Sequence, residues 1–134
     1  MEKSRLLLWD IDGTLILGGS AGGRALKRYF KDRYGWDDLG KALVVHGMTD
    51  PGIVDGIFNH FGHVAKPGEI DQVLKDYVQM MRDHREGFDG SRMLPGVPDI
   101  LKVPDGHGIC HQGLLTGNVK EAAELKLAHH DLWD

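Results

Sequence analysis

Two aspartates one residue apart, Asp10 and Asp12, follow a short apolar run at residues 6–9 and precede a Gly-Thr turn. Because side chains along a strand alternate between its faces, we expect the two carboxylates to point the same way and Ile11 to turn into the packing. Carboxylates that converge on one small volume repel each other unless a cation or a proton is shared between them. Magnesium suits such a pair, because it takes carboxylate and phosphate oxygens and keeps several waters. The plain alternative is a solvated strand end, which is the usual fate of an Asp-Gly turn.

A second polar turn, TGN at residues 116–118, follows a run at residues 109–115 that is predicted to be a second buried strand. Asn118 is predicted to cap a helix over residues 119–130, with Glu121 completing the capping pair. A helix that begins here directs its free backbone amides and the positive end of its dipole toward whatever lies above the strand. The turn therefore predicts an anion site at the end of this strand.

The elements that must hold these residues alternate between strand and helix, which predicts an α/β fold. The run at residues 6–9 is continuously apolar, as in a parallel strand buried on both faces, and ligands bind at the carboxyl ends of such strands. Between the two strands, residues 18–87 are predicted to be almost entirely helical and to form an inserted cap over the site. The core then comprises residues 1–17 and 88–134.

Three helices are predicted within residues 18–87 from apolar side chains at helical spacing. We expect Gly35 and Gly62 to end the first two helices, and Thr49 or Asp50 to cap the second with Pro51 in its first turn. The apolar positions are Leu26, Tyr29, Phe30 and Tyr34; Ile53, Val54, Ile57, Phe58 and Phe61; and Ile70, Val73, Leu74, Tyr77, Val78 and Met81.

A glycine-rich stretch at residues 18–23 has glycines at the spacing of a nucleotide phosphate loop. Arg24 stands where that loop needs a lysine, and Ala25 where it needs the Ser or Thr that holds magnesium. We therefore predict a flexible hinge here, with Ser20 capping the next helix and residues 87–91 as the return hinge.

The composition is that of an ordinary globular domain, with 134 residues, 41% hydrophobic and 27% charged. A net charge of −4 without a basic cluster argues against nucleic acid as the main partner. The apolar run at residues 6–9 is too short for a membrane span or a signal peptide. These features predict a cytoplasmic protein.

The single cysteine, Cys110, cannot form an internal disulfide, which fits a reducing compartment. Because it lies within a predicted apolar strand, we expect it to be buried and inert. The histidine pairs His107 and His111, and His129 and His130, are predicted to be surface or hydrogen-bonded residues and not a structural zinc site.

The motifs resemble those of the haloacid dehalogenase superfamily. The sequence DIDGT at residues 10–14 is similar to its first motif, and LTGN at residues 115–118 is similar to its second motif. The helical stretch between them lies where some members carry an inserted cap. Together with GMTD at residues 47–50 and LPGV at residues 94–97, these motifs look most like the phosphoglycolate phosphatase-like branch.

The resemblance implies a Rossmann-like core and a magnesium-dependent hydrolysis of small phosphate monoesters. Asp10 would attack phosphorus and form an aspartyl-phosphate, and Asp12 would act as general acid and base. Thr116, with the backbone amides near Gly117 and Asn118, would hold the phosphoryl oxygens. Mg²⁺ at the two aspartates, bound by the carboxylate of the first and the carbonyl of the second, would offset the charge between nucleophile and phosphate.

The resemblance also implies a basic residue near the nucleophile. Lys126, on the helix after the TGN turn, is the candidate, and Lys120 is the weaker alternative. The plain interpretation is that such a lysine is simply exposed on the surface of the helix. Further side chains that we expect to contact the substrate are Arg24, Lys41, His46 and Arg92.

The chain departs from the family pattern in one respect, because no acidic pair after a third strand follows residues 131–134. Two parallel strands do not make a stable covered sheet, so we expect either a fragment of a longer protein or strands supplied from elsewhere. The alternatives to a phosphatase are a phosphomutase of the same fold and a catalytically incomplete phosphate-binding module. The oligomeric state is left open.

Overall fold

Short strands alternate with helices over residues 4–103 and 110–133, the part of the chain that the computed structural model describes. The strands are β1 (Arg5–Trp9), β2 (Ile16–Leu17), β3 (Arg92–Met93) and β4 (Cys110–Leu114). The helices are α1 (Ala21–Tyr34), α2 (Asp50–His60), α3 (Glu69–Asp83), α4 (Val97–Lys102) and α5 (Lys120–Ala128). Two short 3-10 helices span Gly40–Ala42 and Arg85–Phe88. The protein is therefore α/β, as predicted.

Strands β1 and β4 pair in parallel, with Trp9 opposite Leu114 at the end of the ladder. Both carboxyl ends therefore lie at the same edge of the sheet, where the two polar turns begin. The prediction that these strands are buried on both faces is wrong. Leu6 is 62% exposed and Leu8 is 50% exposed, because in the described residues this sheet has two strands and its faces are largely uncovered.

Strands β2 and β3 form an antiparallel ribbon where the chain enters and leaves the helical segment, residues 18–87. Beside it, Gly18 and Gly19 run close against residues 90–91. A Cβ at Gly18 would lie 2.9 Å from the Gly90 carbonyl oxygen, and one at Gly19 would lie 2.8 Å from the Ser91 Cβ. The two connections therefore need glycine at their closest approach.

The predicted hinge over residues 18–23 is shorter in the structure, because α1 begins at Ala21 and takes in Gly22 and Gly23. Ser20 does precede the helix, but its backbone is left-handed (φ 45°) and its side chain makes no capping hydrogen bond. The capping role predicted for Ser20 is therefore wrong.

Helices α1, α2 and α3 bury their apolar stripes against one another in the larger of the two apolar clusters that the described residues form. Gly35 ends α1 with a left-handed backbone, and Thr49 caps α2 by accepting a hydrogen bond from the Gly52 N–H (3.2 Å), both as predicted. The helical segment is therefore held together mainly by apolar contacts among its own helices. The domain boundaries and the role of the segment as a cap stay predictions.

Helix α5 lies between the two clusters. Ala122 and Leu125 pack into the larger one, whereas Ala123 and Leu127 pack into the smaller one around Ile11. The helix is preceded by Val119, so the prediction that Asn118 caps it is wrong. Its position between the clusters fixes the orientation of the whole helix.

No helix in the described ranges is both long enough and apolar enough to cross a membrane. The longest of them, α3, has 15 residues, whereas a span needs about 20. The expectations of a cytoplasmic protein and of no nucleic-acid partner stay predictions.

Candidate phosphate site

A cavity of about 910 Å³ opens at the carboxyl ends of β1 and β4. Asp10, Asp12 and residues 115–118 line it on the strand side. The start of α1 and residues 45–50 line it on the helical side. The two polar turns that the sequence singled out therefore face one common space.

The turn after β1 is organised around Ile11, which is fully buried. Its carbonyl oxygen accepts hydrogen bonds from the backbone N–H groups of Thr14 (3.1 Å) and Leu15 (2.9 Å). Its own N–H donates to an Asp10 carboxylate oxygen (2.8 Å). Because Ile11 is turned inward, Asp10 and Asp12 on either side of it both face the cavity, as predicted.

Lys126 is bound to Asp12. Its Nζ lies 3.1 and 3.0 Å from the two Asp12 carboxylate oxygens and 2.6 Å from Asn118 Oδ1. The lysine side chain is 15% exposed, whereas that of Asp12 is 57% exposed. The structure thus brings the expected lysine into the site, although its carboxylate partner is Asp12 and not Asp10.

The second turn is closed by its own side chains. The Asn118 backbone N–H donates to Thr116 Oγ1 (3.1 Å), and the Asn118 side-chain amide donates to the same oxygen (2.7 Å) and to Asp12 Oδ2 (2.8 Å). Asn118 therefore links the two turns, which explains why it does not cap α5. Thr116, Asn118, Asp12 and Lys126 form one hydrogen-bonded group, called here the polar cluster.

Asp50 belongs to this site, although the sequence indicates for it only a possible helix cap and a place in the GMTD motif. It is 8% exposed, its Oδ2 accepts a hydrogen bond from the Val119 N–H (2.8 Å), and its own N–H donates to the Gly117 carbonyl (2.7 Å). Burial raises the pKa of Asp50, while the Val119 hydrogen bond and the charge of Lys126 act to lower it. One signal was available in the sequence: Thr49 suffices to cap α2, which leaves the neighbouring aspartate without a capping task.

The other candidates divide between the cavity and the surface. Arg24 and His46 line the cavity, whereas Lys41 and Arg92 do not. Lys120 is exposed at the start of α5 and does not line the cavity either.

The cysteine and histidine predictions are tested in part. Cys110 is half-buried at the start of β4, so the prediction of a buried thiol is wrong. His107 lies outside the described residues, while His130 shares a 2.8 Å hydrogen bond with Ser91. In residues 4–103 and 110–133 there is no group of three or more His, Cys, Asp or Glu side chains arranged to hold a metal.

Comparison with known proteins gives a structural likeness. No protein-family model matches the sequence, and no curated protein matches it. A hydrolase from Pseudomonas syringae has a similar structure, with a TM-score of 0.70 and 16% sequence identity. The likeness covers 97% of this chain and 57% of that hydrolase, so the chain spans little more than half of its length. At this level of identity the comparison establishes the fold alone: the chain has the α/β architecture of the part of that hydrolase with which it aligns.

Proposed function

We propose that this chain hydrolyses small phosphate monoesters, with Asp10 as the nucleophile. The observation that carries the proposal is the polar cluster itself. The Lys126 ammonium and the Asn118 side-chain amide both donate to Asp12, and the same amide donates to the Thr116 hydroxyl oxygen. These hydrogen bonds are 2.7 to 3.1 Å long and lie in the same cavity as Asp10. The likeness to a hydrolase supports the reaction class, and the resemblance of the two motifs supports the phosphoryl group as the substrate.

In the first step, a carboxylate oxygen of Asp10 forms a bond to phosphorus as the bond from phosphorus to the leaving oxygen breaks. As the general acid, Asp12 must carry a proton in this step, so its ion pair with Lys126 has to open when the substrate binds. Asp12 then gives that proton to the leaving oxygen, and the product leaves as an alcohol. Both aspartates face the cavity from one turn, which is the arrangement that these two roles need.

In the second step, the Asp12 carboxylate takes a proton from a water molecule, and the water oxygen attacks the phosphorus of the aspartyl-phosphate. The bond between phosphorus and Asp10 breaks, which frees inorganic phosphate and restores the Asp10 carboxylate. Thr116 and the backbone amides of residues 117–118 would hold the phosphoryl oxygens, and Lys126 would balance their negative charge.

Magnesium is the cofactor that we propose. Asp10 and Asp12 line one cavity, and Mg²⁺ is commonly held by one or two carboxylates together with substrate phosphate and water. The Asp10 carboxylate and the Asp12 carbonyl would be its ligands. The residues present therefore fit this ion. When bound, it would offset the repulsion between the nucleophile and the phosphate.

The proposal is tested with Asp10→Asn, which removes the nucleophilic charge in a side chain of the same size. We expect D10N to lose hydrolysis of p-nitrophenyl phosphate in the presence of Mg²⁺ by about 10³-fold or more, with an unchanged circular dichroism spectrum. The exposed Asp71→Asn on α3 is the matched control and keeps wild-type turnover. Activity of D10N equal to that of D71N would refute the nucleophile assignment.

Assays of the wild-type protein distinguish a phosphatase from the two alternatives, a phosphomutase and a catalytically incomplete module. A phosphomutase would transfer the phosphoryl group between the positions of a sugar phosphate faster than to water. A catalytically incomplete module would bind inorganic phosphate without turnover. Acid-quenched mass spectrometry checks the mechanism directly, since the wild type should gain one phosphoryl group and D10N should not.

A further inference from the structure

We propose that Asp50 is a positioning residue, which holds the turn of Thr116 and Asn118 in shape from the start of α2. The phosphate site is then complete only when residues 47–50 are docked against that turn. This inference rests on the proposed function and extends it to a residue of the helical segment.

Asp50 grips the turn on both sides of Asn118. Its backbone N–H donates to the carbonyl of Gly117, and its carboxylate accepts from the N–H of Val119. The peptide groups that flank Asn118 are thus both bound to one residue. Since Asn118 in turn donates to Asp12, the hydrogen bonds from Asp50 also help to position the polar cluster.

The fit at Gly117 points to the same docking. A Cβ at this position would overlap the Met48 carbonyl oxygen and lie 3.1 Å from the Thr49 Cα. Real side chains do not come this close to backbone, so only glycine lets the two segments touch here. The turn and residues 48–49 are therefore in direct backbone contact, and Asp50 secures the contact by hydrogen bonds.

Burial indicates that the side chain of Asp50 acts on the turn and not on solvent. A carboxylate loses favourable hydration when it is buried, so it needs compensating partners. Capping does not supply them, because the Thr49 hydroxyl already accepts from the Gly52 N–H. The partners of Asp50 lie instead on the turn, with Lys126 as the nearby positive charge.

The test compares Asp50→Ala with Asp50→Asn and with Asp55→Ala. Asn keeps an oxygen that accepts from Val119, whereas Ala does not. Asp55 lies exposed on the same helix and accepts a hydrogen bond from Asn59 (3.2 Å), so D55A controls for loss of a carboxylate from α2. The measurements are kcat and KM for p-nitrophenyl phosphate and the hydrogen exchange of the Val119 amide by NMR.

We expect D50A to lower kcat by about 10-fold to 100-fold with KM within about threefold, because a small misplacement of reacting groups affects the transition state most. The Val119 amide should exchange at least about tenfold faster in D50A. D50N should recover kcat to within about threefold of the wild type, and D55A should match the wild type.

The outcomes separate the two proposals. Absence of turnover in the wild type would refute the proposed function. Equal Val119 exchange in the wild type and in folded D50A would refute the positioning role whatever the activity. If D50A does not fold, D50N decides, because a folded D50N with kcat reduced more than about threefold would show that the oxygen acceptor is not what positions the turn.

Discussion

Replacement of Lys126 by methionine should lower kcat strongly while changing the free energy of unfolding only a little. Methionine keeps most of the apolar stem and removes the ammonium group, which lies 3.0 Å from Asp12 Oδ2 and 2.6 Å from Asn118 Oδ1. The perturbation therefore acts on two contacts of one atom and leaves the packing of α5 in place.

The effect on stability should be small. Asp12 is 57% exposed, so solvent screens its ion pair with Lys126 and the pair is worth less than about 1 kcal/mol. Loss of the hydrogen bond to Asn118 adds about 1 kcal/mol. Together these give a destabilisation of about 1–2 kcal/mol, measured by urea denaturation at pH 7.

The effect on catalysis should be much larger. Removal of one donor that stabilises charge in a transition state lowers kcat by about 10²–10³-fold. We therefore expect K126M to retain about 1% or less of wild-type kcat with p-nitrophenyl phosphate, while circular dichroism shows an intact fold.

Lys120→Met is the matched control for Lys126→Met. Lys120 is an exposed lysine in the first turn of the same helix, where a positive charge is unfavourable to the helix dipole. Its replacement should leave kcat within about twofold of the wild type. If K126M keeps more than about a tenth of wild-type kcat, or if K120M loses as much as K126M, the role assigned to Lys126 is wrong.

Two further predictions concern stability. The hydrogen bond from the Lys66 backbone N–H is the largest of several contacts that lower the pKa of Glu69 from 4.5 to about 2, so its charge stabilises the fold above pH 4.5 and this contribution is lost as pH falls toward 2. Glu69→Gln should therefore lower the urea midpoint at pH 7 and converge with the wild type at low pH; a pH-independent difference would contradict this. A Cβ at Gly22 would lie 2.8 Å from the buried Tyr77 hydroxyl, whereas one at Gly56 in α2 would meet nothing within 4 Å. In thermal melts Gly56→Ala should stabilise by about 0.5–1 kcal/mol and Gly22→Ala should destabilise by about 1–2 kcal/mol, and equal shifts in the two variants would show that the contact with Tyr77 is not restrictive.

Local patterns in the sequence were sufficient for the helices and for the first turn. The apolar spacing predicted the three helices of residues 18–87, and Gly35 and Thr49 end and begin helices as expected. Strand alternation predicted the burial of Ile11 between Asp10 and Asp12, although Ile11 lies in the turn just after β1. These features depend on residues that are close in the chain, so a short window contains the information.

Contacts between distant residues could not be predicted in the same way. Asp50 and Val119 are 69 residues apart, and nothing local to either one indicates that they meet. The sequence predicts Asn118 as the cap of α5, but its side-chain amide donates instead to Asp12 in the first turn and to Thr116 in its own turn. The exposure of Leu6 follows from the number of strands and not from its local sequence. The apolar run shows that the strand could be covered, but in the described residues its sheet has two strands and leaves the faces open.

Helix α5 couples the unfolding of the two apolar clusters. Ala122 and Leu125 contribute to one cluster, and Ala123 and Leu127 contribute to the other. Unfolding of either cluster would therefore expose one face of the same helix. Opening of α5 therefore disturbs both clusters at once, which couples them in local unfolding. Lys126 is thus carried by a helix whose local opening would remove contacts from both clusters.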